Sequence, residues 1–100
     1  MALAVNRLGE VGGVVTVFKN GQELALIELP IAGLMSDQPA TKVANNASNM
    51  IKAMSDCGCN LNNAFMQHSL LALVVIPELR ISDLGLVDVT KFELTNVLVD

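Results

Sequence analysis

Leu29-Pro30-Ile31-Ala32-Gly33-Leu34-Met35-Ser36-Asp37 is mostly apolar, is interrupted by Pro and Gly, and closes on Ser-Asp. It follows neither the period of a strand nor that of a helix, so it is expected to form a shaped, buried connection between the two. Upstream, Val14 to Phe18 is β-branched and aromatic, Asn20-Gly21 is the strongest short hairpin signal, and Gln22 to Leu29 resumes an extended pattern. Both alternating sets of the first strand are apolar, Val15/Val17 and Val14/Phe18, which suggests cover on both faces. Downstream, Asp37 is placed to cap a helix with Pro39 in its first turn, where the missing N–H costs nothing. Along that helix, about residues 38–56, Val43, Ala47, Met50 and Met54 with Ile51 form an apolar stripe, and Lys42, Asn45, Asn49 and Lys52 form the solvated side.

Further out the pattern continues in both directions. Over residues 2–12, Ala4, Leu8 and Val11 recur at helical spacing with Val5 beside them, while Asn6, Arg7 and Glu10 face away; Gly12-Gly13 ends this short helix. Phe65 to Ile76 is apolar throughout, and Val74-Val75-Ile76 before Pro77 argues for extended structure in its later part. A further extended piece is expected at Leu79–Ile81, a turn at Ser82-Asp83-Leu84-Gly85, a short strand at Leu86–Val89, and a final strand or docked tail over Phe92–Val99. The expected fold is α+β: a hairpin and further strands in a mixed or antiparallel sheet, packed by two main helices, in a single domain or domain fragment spanning residues 1–100.

Composition narrows the function. The apolar share is 52% and the charged share 16%, against about 45–50% and about 25% in ordinary soluble domains, so part of this surface is expected to meet other protein surface. The net charge is −4 and the six Lys and Arg are scattered singly, so no basic stripe exists to neutralise a phosphate backbone. Tyr and Trp are absent and only Phe18, Phe65 and Phe92 are aromatic, which removes most base-stacking platforms. No apolar run reaches the ~20 residues of a membrane-spanning helix, and the first residues lack a signal-peptide layout. The expected setting is cytoplasmic, with neither nucleic acid nor membrane as a partner.

The chemistry-bearing residues are few. Cys57 and Cys59 with the single His68 fall short of the four ligands of a tetrahedral zinc site, so no metal site and no catalytic set is expected in this chain. The two cysteines are read as small buried residues at a helix end, with a redox pair as the alternative, and His68 as a partly buried structural histidine. Asp83 and Asp88 flank a turn and are expected to bind backbone N–H groups or water. Gly33, Ser36 and Asp37 are the candidate ligand-binding residues, offering backbone N–H groups and a carboxylate at the start of the long helix; helix capping is the preferred role there. An independent hydrolase fails on inventory, because no Ser-His-Asp order and no Gly-rich phosphate loop occurs.

Read together, Asn6-Arg7-Leu8, Gly12-Gly13, Leu29 to Asp37, Gly58-Cys59, Phe65-Met66, Ser69, Val75-Ile76-Pro77-Glu78-Leu79 and Gly85 to Val89 resemble the C-terminal domain of bacterial adenine deaminases. The resemblance covers nearly the whole chain, in its order as well as its motifs. It implies a piece of an amidohydrolase-superfamily enzyme that hydrolyses adenine to hypoxanthine and ammonia, with divalent metal (Mn, Fe or Zn) held in a separate (β/α)₈ barrel. The family's domain begins further upstream with a His-Asp-Ser-His-Asn stretch, so this chain is expected to match the later portion, with no cofactor of its own. Where the family has a Pro-Phe-Met-Thr-Leu-Ser pattern this chain has Ala64-Phe65-Met66-Gln67-His68-Ser69, so His68 inherits no role; Val74 stands where Pro is usual, and Cys57 is off-pattern. The expected role is structural, with the chain packed against the barrel or self-associated; the alternative is a free-standing small-ligand-binding or oligomerisation module.

Overall fold

A computed structural model describes residues 1–98. The elements run α1 (Ala2–Val11), β1 (Val14–Lys19), β2 (Gln22–Glu28), α2 (Ala40–Asp56), α3 (Ala64–Leu70), β3 (Leu79–Ser82), β4 (Gly85–Asp88) and β5 (Glu93–Leu94). The strands form two antiparallel sheets, β1-β2 and β3-β4-β5, and the fold is α+β. The chain divides into two compact units, Met1–Phe65 and the stretch from Met66 onward.

In the first unit the hairpin turns at Asn20 and Gly21, whose φ values of 51° and 80° are the left-handed conformations that the Asn-Gly pair accommodates. Pairing shifts between Val17/Ala25 and Phe18/Glu23, which leaves Leu24 as a bulged residue. Every residue of Val14–Phe18 is half-buried, as its two apolar faces predict. The long helix α2 packs on both strands, chiefly β2, and presents its stripe as expected: Met50 and Ala53 are buried, Val43, Ala47 and Met54 half-buried. Ile51 is the exception and is exposed, because it stands off the line that meets the hairpin. With Ile27 and Ala64, Met50 and Ala53 make the buried apolar core of this unit among the described residues. At its C-terminal end, Gly58 (φ 95°) donates to Ser55 and Cys59 donates to Met54, closing a Schellman motif.

Several expectations are corrected here. Arg7 does not face away: its guanidinium lies 3.1 Å from both Glu10 and Glu23, so the α1 face turned toward the hairpin carries Ala4, Arg7 and Val11. Leu3, Val5 and Leu8 are exposed in consequence. Asp37 does not cap α2. The N-cap is Pro39, extended at φ −53° and ψ 143°, and it has no side-chain acceptor to give. Asp37 stands two residues too early to reach the first free N–H groups and instead accepts a hydrogen bond from Gln38 Nε2 at 2.8 Å.

In the second unit, β3 and β4 are joined by the expected turn, in which Ser82 Oγ accepts from the Leu84 N–H and donates to the Gly85 carbonyl. Val74–Ile76 is not extended. The chain keeps winding after α3 through bonds from Leu71, Ala72 and Leu73 to residues three earlier, and no described strand lies alongside to realise the β-propensity of Val-Val-Ile. The last strand shrinks to Glu93–Leu94, paired with Val87 and Asp88; Val99 lies outside the described residues.

Candidate functional site

The Leu29–Asp37 block is an ordered tip at the open end of the hairpin. Leu29 N–H donates to the Gly13 carbonyl at 2.7 Å, and the Leu29 carbonyl accepts from Gly33 N–H at 3.1 Å. Ile31 and Met35 then exchange both of their backbone hydrogen bonds at 3.1 Å, and Leu34 N–H donates to Ile31. Ala32 (φ 56°) and Gly33 (φ 70°) turn the chain through the left-handed region; for Ala32 this costs about 1–2 kcal/mol. The block was expected to be buried, and it is not. Ile31, Leu34 and Met35 are 45%, 70% and 58% exposed, because the backbone bonds that close so short a turn leave its side chains pointing outward.

The three candidate ligand residues lie in this tip, each engaged in local hydrogen bonds. The Gly33 N–H is used by the turn itself. Ser36 Oγ accepts from the Gln38 N–H at 3.2 Å, and the exposed Asp37 carboxylate is held by Gln38, whose own side-chain oxygen takes Lys42 Nζ at 2.9 Å. What sequence reasoning missed is Gly13. An added Cβ there would strike the Leu29 carbonyl oxygen and stand 2.7 Å from Gly33 Cα. The Gly12-Gly13 doublet carried the signal, since one glycine suffices to end a helix.

Elsewhere the chemistry is sparse. Cys57 is an exposed free thiol and Cys59 a half-buried one, so the expectation of two buried cysteines is corrected: the residue at the end of α2 projects where no element covers it. His68 is likewise exposed on α3, since that short helix buries Ala64 alone. Among the described residues no group of three or more His, Cys, Asp or Glu side chains could hold a metal. A cleft of about 340 Å³ between β2 and α2 is lined at its polar side by Asn46, Asn49, Lys52 and Asp56, with Lys19 Nζ bonded to the Asp56 carbonyl. Its ionisable lining is one carboxylate, Asp56, and one ammonium, Lys52.

Among the described residues Asp88 is a heavily bonded carboxylate. Oδ1 accepts from the Thr90 hydroxyl at 2.6 Å and from the N–H groups of Thr90 and Lys91, while Lys91 Nζ stands 3.2 Å from Oδ2. The Thr90 hydroxyl, and after it the Lys91 bonds, hold its pKa below the ordinary carboxylate value. A depressed folded pKa contributes stability that is present above the unfolded value, about 3.9, and is lost as pH falls through the folded one. Asp88→Asn is therefore expected to flatten the loss of stability between neutral and strongly acidic pH, measured by urea unfolding across that range; an unchanged acid slope would contradict it. Asp88 thus binds backbone N–H groups, as the sequence predicted, but those of Thr90 and Lys91 and not of the Ser82–Gly85 turn.

The chain's relatives decide its affiliation. The model of the adenine deaminase C-terminal domain family matches residues 1–93. The chain belongs to this family. It is 70% identical over 99 residues to the adenine deaminase of Paracoccus denitrificans (strain Pd 1222), covering 99% of this chain and 17% of that protein. It is 72% identical over 98 residues to the adenine deaminase of Roseobacter denitrificans (98% and 16%), and 45% identical over 98 residues to that of Moorella thermoacetica (98% and 16%). The chain thus spans about one-sixth of the length of these relatives and corresponds to their C-terminal domain. No solved structure matches it. Among the described residues, no helix is long and apolar enough to cross a membrane.

Proposed function

We propose that this chain is a non-catalytic, structural part of an adenine deaminase that works in the cytoplasm. The whole enzyme hydrolyses adenine with water to hypoxanthine and ammonia, using a divalent metal, Mn, Fe or Zn, in a (β/α)₈ barrel formed by other residues. Such an ion, held by those other residues, would supply Lewis-acid activation of water. The described residues do not fit that ion, because they offer no cluster of ligands. Their contribution is to present packing surface, either to the barrel or to a second copy of the chain. The observation that carries this reading is the match over residues 1–93 to the adenine deaminase C-terminal domain, in a chain that spans only about one-sixth of the length of its relatives.

The purified chain is expected to release no ammonia or hypoxanthine from adenine in the presence of Mn²⁺, Fe²⁺ or Zn²⁺. Metal-dependent turnover by this chain alone would overturn the proposal.

A further inference from the structure

We propose that the Ile31–Met35 tip is a preformed apolar knob that seats in a pocket on the catalytic portion of the adenine deaminase polypeptide. This rests on the reading above that the chain works as part of that enzyme. Three observations carry it. First, the tip is fixed before any partner arrives: the reciprocal Ile31/Met35 bonds close it, the Leu29 carbonyl ties Gly33, and Gly13 holds the base. Rigid apolar groups lose little conformational freedom on docking, which is what an anchor requires. Second, Leu34 and Met35 stand mostly in solvent and Ile31 nearly half so, an arrangement that costs an isolated domain exposed apolar area and gains it nothing. Third, the relatives carry more than four-fifths of their length outside the stretch matched here, so the same polypeptide supplies a partner large enough to enclose such a knob.

A second copy is the competing occupant. The cleft between β2 and α2 is too polar to accept an apolar knob, but the surface beside Val74, Val87, Phe92 and Leu94 is apolar and open.

The test replaces the matching 99 residues of the Paracoccus denitrificans relative with this chain, an exchange at 70% identity. The chimera is expected to deaminate adenine. Leu34→Cys, labelled with a maleimide and located by peptide mass, is expected to react at least ten times more slowly in the chimera than in the isolated chain. Leu34→Asp should leave melting of the isolated chain unchanged and lower the melting temperature of the chimera. Equal labelling rates in an active chimera overturn the knob and leave the structural role standing. A chimera that neither folds nor turns over adenine overturns that role and the knob with it. Self-association of the isolated chain that Leu34→Asp abolishes, with no protection in the active chimera, assigns the tip to a second copy and overturns the proposal.

Discussion

Met50→Ala is expected to lower the stability of the chain by about 3 kcal/mol, read as a fall in the urea midpoint followed by far-ultraviolet circular dichroism. Met50 is the largest side chain with no exposure at all, and it sits where α2 meets the hairpin. The other buried apolar residues of the first unit among those described are Ile27 and the alanines Ala53 and Ala64, and the alanines have no methylenes to swing into a void. The truncation therefore costs both the transfer energy of the lost atoms and the cavity they leave. Domain stabilities of about 5–15 kcal/mol make this a large fraction of the total. Met50→Leu nearly conserves volume and is expected to cost less than about 1.5 kcal/mol. Equal losses for the two variants would mean that the site relaxes freely and that Met50 is not the keystone of this core.

How far the sequence led depends on whether a feature is local. The hairpin was legible because Asn-Gly fixes its turn within two residues, and α2 because a stripe of Val43, Ala47, Met50 and Met54 needs only one covered face. Most of the failures are non-local. Arg7 was placed on the solvent side because helical spacing cannot see Glu23, sixteen residues away. Val74-Val75-Ile76 has strand composition, but a strand exists only where another lies beside it, and here backbone bonds to the preceding turn prevail. Asp37 was expected to cap because Asp is common just before a helix; with Pro39 extended and itself the N-cap, the helix starts two residues further on. The candidate site divides in the same way. That the tip is irregular could be read from Pro30 and Gly33, whereas its exposure could not, since apolar composition is the usual mark of burial. The affiliation, by contrast, rests on ordered motifs along nearly the entire chain, and the family match over residues 1–93 bears it out.

Gly13→Ala is expected to be the most damaging single-methyl addition in the chain, at about 3 kcal/mol, although Gly13 has no positive φ. The cost is steric. The new Cβ would collide with the Leu29 carbonyl oxygen and lie 2.7 Å from Gly33 Cα and 3.1 Å from Gly33 N, all backbone atoms that no rotamer change can move. Its neighbour provides the control. Gly12 has φ 86° and ψ −120°, a glycine conformation, with open space around it, so Gly12→Ala meets no neighbouring atom and costs only backbone strain, about 1–3 kcal/mol. Urea unfolding of both variants should rank Gly13→Ala as the larger loss, and the reverse order would show that the tip shifts to make room. Hydrogen exchange locates the damage. Leu29 N–H donates to the Gly13 carbonyl and Gly33 N–H to the Leu29 carbonyl, so the added methyl strikes the hinge on which both bonds depend. Those two amides should exchange faster in Gly13→Ala while amides in the middle of α2 keep their order, and because the knob is carried on that hinge, the same variant placed in the chimera should lose protection at Leu34.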